Sequence, residues 1–402
     1  MKRIIAFEIK KIFRNKLILG IVFIFSIINI YHIYDDYAKN IKKERTYYKA
    51  YFQLYHDVSG EWDTSKIEYV VSEYEKAKSI VDAGNFSTEP NQPNTYTGYI
   101  FGDYGLFEKI KNEMDTQYHY YSSMEEITQR AADNTAFYQQ KGNAYLTKVN
   151  QKIENTYQDR NISAFYDTFG LTKYFKYDFS TLLILVLIIP MLSPVFAREH
   201  EIEMYSLLKL TTNFKKLFAS KLLAGAAAIF LVGFLFLVED FLTFTFLYHI
   251  NIIVLSQPIY ALSDFYYSPL TVDIGTYILM NATLKLLSFL IFGEICMVVS
   301  ALVKNEVIPF CFSFTITLIL VLCDAFIDNS TVSIFNPVTL LSCGKMFKEF
   351  QVIRIFDTPV YTFYLPIIIA FSECLLLAVF TVLMGKFAPY RHSLIRRSKG
   401  EI

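Results

Sequence analysis

The side chains best placed to do chemistry are charged residues set within or beside long apolar runs. In the segment Ala197–Lys221 (AREHEIEMYSLLKLTTNFKKLFASK), Arg198 and the acidic residues Glu199, Glu201 and Glu203 come first, Leu207, Leu208 and Lys209 follow, and Lys215, Lys216 and Lys221 close it. Acidic residues early and basic residues late match the two ends of a helix dipole, so a short amphipathic helix held against a membrane is expected here. A plain solvated connection would explain the lysines but not the leading acids with their leucine pair.

Deeper in the apolar runs lie Lys285, Glu294 and Glu373. Burying a charge in a bilayer costs a few kcal/mol on insertion scales, so Lys285 and Glu373 are each expected to face a partner helix, a cavity or one another. Lys285 and Glu294 are nine residues apart, which at about 100° per residue puts them on opposite helix faces. A Lys285–Glu373 pair is one candidate arrangement, with structural anchoring favoured over substrate binding. Glu239 and Asp240 lie about 27 Å along a helix from Lys221, which places them at the far interface. Pro190 and Pro194 free backbone carbonyls and bend the run that carries them, a candidate hinge whose plainer reading is an ordinary kinked helix.

Catalytic constellations are missing from the sequence. It has no GxxxxGK[ST] phosphate loop, no HExxH and no GxSxG, and the six His are scattered without metal-ligand spacing. The chain is therefore expected to be neither an ATPase nor another enzyme, with no cofactor or metal of its own. Five Cys without a CxxC pair exclude a disulfide scaffold; the four at 296, 311, 323 and 374 read as small apolar packing residues.

These residues are positioned by six apolar runs. The expected order is a cytoplasmic amphipathic helix over 1–16, a first span over 17–34, a large domain over 35–178, and a second span over 179–196. A coupling loop over 197–221 leads to a third span over 222–248, a loop over 249–275, a fourth span over 276–303, a short loop over 304–306 and a fifth span over 307–327. A loop over 328–359, with a partly re-entrant course as one reading, leads to a sixth span over 360–385 and a basic tail over 386–402. The uncharged stretch Leu17–Tyr34 is long enough to cross most of a roughly 30 Å hydrocarbon core. A signal peptide is the competing reading for it, but the run ends in Tyr31-His32-Ile33-Tyr34-Asp35-Asp36 with no small-residue cleavage site. In 1–16, Ile5, Ile9, Ile12 and Phe13 share one face and basic residues cover the rest, as in a helix lying in the interface.

Composition agrees with a membrane protein. The chain of 402 residues is 53% hydrophobic, and its 38 Lys+Arg balance 38 Asp+Glu, which argues against nucleic acid as a partner. That balance conceals a partition, because residues 35–178 hold 22 acidic and 17 basic residues. Lys and Arg gather before Leu17, in 197–221 and in the tail, and are absent from 249–275. The positive-inside rule therefore places both termini in the cytoplasm and residues 35–178 outside the cell membrane.

The segment 35–178 is expected to be an α-rich domain. Ile67, Val70, Val71, Tyr74 and Val81 recur at helical spacing. Ser65 with Glu68, and Ser123 with Glu126, have the form of a capping box, while the Gly- and Pro-rich stretch 84–105 reads as an irregular connection. The domain carries 19 of the 30 tyrosines and no Cys, so its core should be aromatic.

One span, a large domain and five closely spaced spans, with a first loop carrying Arg198-Glu199-His200-Glu201, Leu207-Leu208, Thr211-Thr212, Lys215-Lys216 and Lys221, resembles the permease subunit of the ABC-2 exporter class. Pro258–Leu270 in the next loop supports the likeness, which covers the spans and not the fold of the large domain. The chain departs from the family pattern at Glu203-Met204, where a Gly is common, and at Asn213, where a Pro is common. The resemblance implies an all-α polytopic membrane protein in which Arg198, Glu199, Glu201, Leu207, Leu208 and Lys209 belong to a coupling helix, and 1–16 to a connecting helix. Both would face a separate ATPase subunit, present in two copies and holding ATP and Mg. It further implies a second permease copy or a sibling permease in the bilayer, and outward transport of a hydrophobic or amphipathic substrate such as a peptide, antimicrobial or lipid-like molecule. A membrane-anchored sensor or assembly scaffold is the alternative, and ion-driven secondary transport a third.

Overall fold

A computed structural model of the chain describes residues 1–84, 95–202, 204, 214–326, 333–342 and 344–399. The helices, in chain order, are α1 (Lys2–Phe13), α2 (Lys16–Tyr37), α3 (Arg45–Val58), α4 (Thr64–Asp82), α5 (Ile100–Tyr118), α6 (Tyr120–Gln140), α7 (Ala144–Tyr157) and α8 (Phe169–Phe175). They continue as α9 (Phe179–Leu192), α10 (Pro194–Glu201), α11 (Phe214–Leu247), α12 (Ile274–Leu302), α13 (Val307–Phe326), α14 (Gly344–Phe347) and α15 (Tyr364–Lys399). Two short antiparallel pairs are the strands seen among the described residues: β1 (Gly60–Glu61) with β2 (Ala164–Phe165), and β3 (Val352–Ile355) with β4 (Thr358–Tyr361).

Six helical stretches are long and apolar enough to cross a membrane: Lys16–Lys42, Phe169–Glu199, Lys215–Leu247, Ile274–Leu302, Val307–Phe326 and Tyr364–Met384. The protein is therefore an all-α polytopic chain in its spans. With no water in the hydrocarbon, a helix satisfies its own backbone, which is why these uncharged runs fold as they do. The stretches Phe169–Glu199, Lys215–Leu247 and Ile274–Leu302 form the buried centre, whereas α2, α13 and α15 turn most of their apolar surface outward. Close packing at the centre depends on small residues, for a Cβ on Gly293 would run into Ile229 and Leu192, and one on Gly233 would lie 2.8 Å from Leu286.

The helices α3 to α7 form a separate domain on the side of the bundle opposite α1. Its core joins Tyr51, Tyr55, Leu106, Phe107, Ile110, Met114 and Phe165. Two half-buried carboxylates sit against these tyrosines: the Tyr51 hydroxyl donates to Asp167 at 2.9 Å, and the Tyr55 hydroxyl donates to Glu113. Desolvation raises the pKa of both Glu113 and Asp167, more than these hydrogen bonds and the nearby Lys109 lower it.

Local signals were partly displaced. The α4 N-cap is Asp63, which accepts from the Ser65 N–H, so Ser65 is not a capping residue. Ser123 lies inside α6 and bonds back to the His119 carbonyl, again not a cap. Helix α5 begins at Ile100 and so takes in Gly102 and Gly105, where the composition reads as an irregular connection; residues 85–94 of that stretch lie outside the described residues.

The domain is seated on the two loops that share its side. Gln117 donates to the Ala261 carbonyl at 3.1 Å, Tyr157 to Tyr267 at 2.6 Å, and Arg160 to Ser268 and Pro269 at 2.6 and 3.1 Å. The Arg160 guanidinium also lies over the rings of Tyr157 and Tyr260, and Tyr120 stacks on Tyr260 with centroids 4.8 Å apart. In the later loop, the turn Pro337–Leu340 is buried: Ser288 donates to the Pro337 carbonyl at 2.7 Å and Asn336 to the Leu320 carbonyl at 2.8 Å. The chain thus dips between α12 and α13 before returning through β3 and β4.

Candidate functional site

The charged residues nearest the α1 end of the bundle converge on one ammonium. Lys221, near the start of α11, has a side chain only 1% exposed. Its Nζ lies 2.6 Å from Glu199 Oε1 on α10 and 3.1 Å from Glu8 Oε2 on α1, and donates to the Val195 carbonyl at 3.0 Å. Lys11 of α1 reaches the same Glu199 oxygen at 2.7 Å. Two cations and two carboxylates thus close a charge-balanced cluster, and the Phe196 ring packs 5.6 Å from Nζ. Buried charges are tolerated when paired and hydrogen-bonded, a condition this cluster meets.

The cluster ties three elements together. Helix α1 buries the face carrying Ile12 against α11, with Ile5, Ile9 and Phe13 half-buried beside it. Glu8 shares that face. Sequence reading missed it because a lone acid in a basic helix looks like a solvated charge; its i,i+3 relation to Lys11 was the available signal.

Arg198 and Glu201 do different work from Glu199. Arg198 Nε is 3.4 Å from Glu306, and Glu201 accepts the Glu306 backbone N–H at 3.0 Å. Both brace the short connection between α12 and α13. Beyond them Ile202 and Met204 are 58% and 40% exposed, so the chain just past the end of α10 presents apolar side chains. Leu207, Leu208 and Lys209, expected on the same surface, lie outside the described residues.

The two prolines mark a break in the second membrane helix. Pro190 lies within α9, and Pro194 opens α10 after Ser193. The break leaves first-turn donors of α10 without partners in their own helix. Ser300 of α12 supplies what is missing: its Oγ accepts from the Phe196 and Ala197 N–H groups, both at 3.1 Å, and donates to the Ser193 carbonyl at 2.6 Å. No spacing in the sequence points to Ser300, since it lies more than a hundred residues away.

Polar residues within the bundle are distributed over three places. Lys285 pairs with Asp178 at 3.4 Å and not with Glu373, which corrects the candidate pair. Glu294, on the opposite face of α12, is 4% exposed and accepts from the Cys374 thiol at 3.5 Å. Glu373 is half-buried, and no hydrogen bond or ion pair to it is seen among the described residues. Asp240 goes beyond an interfacial position. It is 4% exposed and holds three helices, accepting from Asn29 at 2.7 Å and Ser180 at 2.5 Å, while Asn29 also donates to Glu239 at 2.9 Å.

Among the described residues no group of three or more His, Cys, Asp or Glu is arranged to hold a metal ion. A scan against protein-family models finds no match, and no curated protein matches the sequence.

Proposed function

We propose that the chain is the membrane subunit of an ATP-driven exporter of the ABC-2 class, with both termini in the cytoplasm and the α3–α7 domain outside the cell. One observation carries the reading. Glu199, Glu8, Lys11 and Lys221 lock α1, α10 and the base of α11 into one unit, with Glu201, Ile202 and Met204 exposed at its edge. A mixed charged and apolar surface fixed to three helices is what a separate ATPase would need in order to move spans, because force on a floppy loop would be lost.

In this scheme two copies of the chain, or this chain and a sibling permease, recruit two ATPase subunits that carry ATP and Mg. Closure of the ATPase pair displaces the α1–α10–α11 unit, and the break at Ser193–Pro194 lets α10 move with it while α9 stays packed. A hydrophobic or amphipathic substrate then leaves on the side of the α3–α7 domain. The unequal distribution of Lys and Arg supports this orientation.

The test is co-purification from the native membrane. An ATP-hydrolysing protein should accompany the full chain and be lost on Glu201→Lys combined with Ile202→Asp, changes at exposed positions that leave the buried cluster intact. A folded chain that brings down no ATPase would overturn the exporter reading in favour of a sensor or scaffold.

A further inference from the structure

On the domain side of the bundle, a cavity of about 190 Å³ opens where the end of α8, Asp178 just ahead of α9, and α12 meet the loops that carry Asp264 and Lys348. Four lysines line it, Lys176, Lys285, Lys345 and Lys348, against two carboxylates, Asp178 and Asp264. Both acids are already engaged: Asp264 is shared by Lys176 at 3.1 Å and Lys348 at 3.3 Å, and Asp178 faces Lys285 at 3.4 Å. Lys345 makes no ion pair among the described residues. The cavity therefore keeps a surplus of two positive charges.

Like charges from separate parts of the chain are brought together here at an electrostatic cost. The walls that hold them include Phe175, Phe265 and Leu341, and apolar walls around a cleft lined mainly by one sign of charge focus the positive potential in its opening. Partial burial of Asp264 works against its charged form, but the Lys176 hydrogen bond and the nearby Lys348 outweigh this and hold its carboxyl below the usual range. The acid is fully used in screening its two lysines and does not cancel the surplus.

We propose that this cavity binds a phosphate group. A phosphomonoester carries about −1.5 to −2 charge near neutral pH with three strong acceptor oxygens, which matches the surplus and the several ammonium donors. Lysines acting as separate point charges suit a tetrahedral anion, whereas a planar carboxylate is better served by an arginine fork, and no arginine lines the cavity. The volume admits a compact group and not an acyl chain, so a lipid would enter by its headgroup alone. The inference does not depend on the exporter reading.

The experiment follows thermal unfolding of the purified full chain. It is titrated with inorganic phosphate in detergent and, separately, reconstituted in phosphatidylcholine nanodiscs with and without phosphatidate, with sodium chloride of equal ionic strength as control. The unfolding midpoint should rise saturably, and Lys345→Gln should weaken the apparent affinity by about tenfold or more, the effect of one lost charge-assisted contact. Lys345 is exposed at the rim, so this variant keeps its fold; Lys285→Met provides a second, deeper change. A response to inorganic phosphate identifies the phosphate group itself as sufficient, and a response confined to phosphatidate nanodiscs identifies a lipid headgroup. No saturable response to either, or one that Lys345→Gln and Lys285→Met leave unchanged, overturns the proposal.

Discussion

Lys221 and Glu199 form a 2.6 Å ion pair in which neither side chain is more than 5% exposed. Removing the cation alone would strand Glu199 beside Glu8, leaving Lys11 as the one cation paired with them among the described residues. Breaking a buried pair in this way costs about 3–5 kcal/mol. Lys221→Met should therefore lower the thermal midpoint of the detergent-solubilised chain strongly. Glu199→Gln should cost less, because Glu8 still faces the ammonium at 3.1 Å. The double variant should recover part of the loss, and strictly additive effects would show that the two residues do not depend on one another.

The seam at Ser193–Pro194 makes a narrower prediction. Ser300→Ala leaves two buried N–H groups and one carbonyl without their side-chain partner, and an unsatisfied buried group costs about 1–3 kcal/mol. Thr181 supplies the contrast: it is 3% exposed and its hydroxyl finds no partner among the described residues. Thr181→Val, of nearly the same shape, should be neutral or stabilising in the same assay while Ser300→Ala is destabilising. Equal outcomes would mean that Ser300 does not support the break.

How much of this was legible beforehand depends on the range of the signal. Spans announce themselves through some twenty contiguous residues, and the amphipathic face of α1 through the spacing of Ile5, Ile9, Ile12 and Phe13, because local periodicity is written in adjacent residues. Long-range choices are not. Depth could be estimated for Lys285 and Asp240 from residue counts, but the direction each faces within the bundle depends on how helices rotate against neighbours. Hence depth alone offers Glu373 as one candidate partner for Lys285, whereas Asp178, just ahead of α9, is the carboxylate that meets it. The capping error at Ser65 has a local cause. Asp63, two residues earlier, is an equally good cap and starts the helix sooner, leaving the serine hydroxyl to donate to it at 2.7 Å.

Arg160 should decide whether the α3–α7 domain stays seated. It gives two hydrogen bonds to the Ser268 and Pro269 carbonyls and is itself 4% exposed. Hydrogen bonds from a charged donor are worth about 1.5–3 kcal/mol, and Arg160→Ala also leaves those carbonyls unpaired. Hydrogen exchange should accelerate in 259–270 and in α7, with α5 protected as before. Arg160→Lys should fall between, since one ammonium cannot reproduce two forked bonds and a stacked guanidinium. Uniform loss of protection across α3–α7 would assign Arg160 to the domain's own folding instead of its docking.

The half-buried carboxyls of the domain give it a pH dependence with a definite sign. Desolvation raises Glu113 and Asp167 above their ordinary values despite the hydroxyls of Tyr55 and Tyr51. A carboxyl with a raised folded pKa binds its proton more readily in the folded state. Its contribution is therefore most favourable below the ordinary carboxylate range of about 4 and is lost as pH rises through the folded pKa. Carboxyls held low, such as Asp63 with its bonds from Ser65, act in the opposite sense: their contribution is present above the ordinary range and lost as acid is added. The net curve mixes both kinds, so the variants carry the prediction. Relative to wild type, Glu113→Gln and Asp167→Asn should compare best near pH 7, where the replaced carboxylate is charged and desolvated, and comparatively worse as pH is lowered toward 4. Chemical denaturation monitored by hydrogen exchange in α3 and α5 at several pH values would measure this difference. A gap between variant and wild type that is constant with pH would show that neither carboxyl is shifted by its burial.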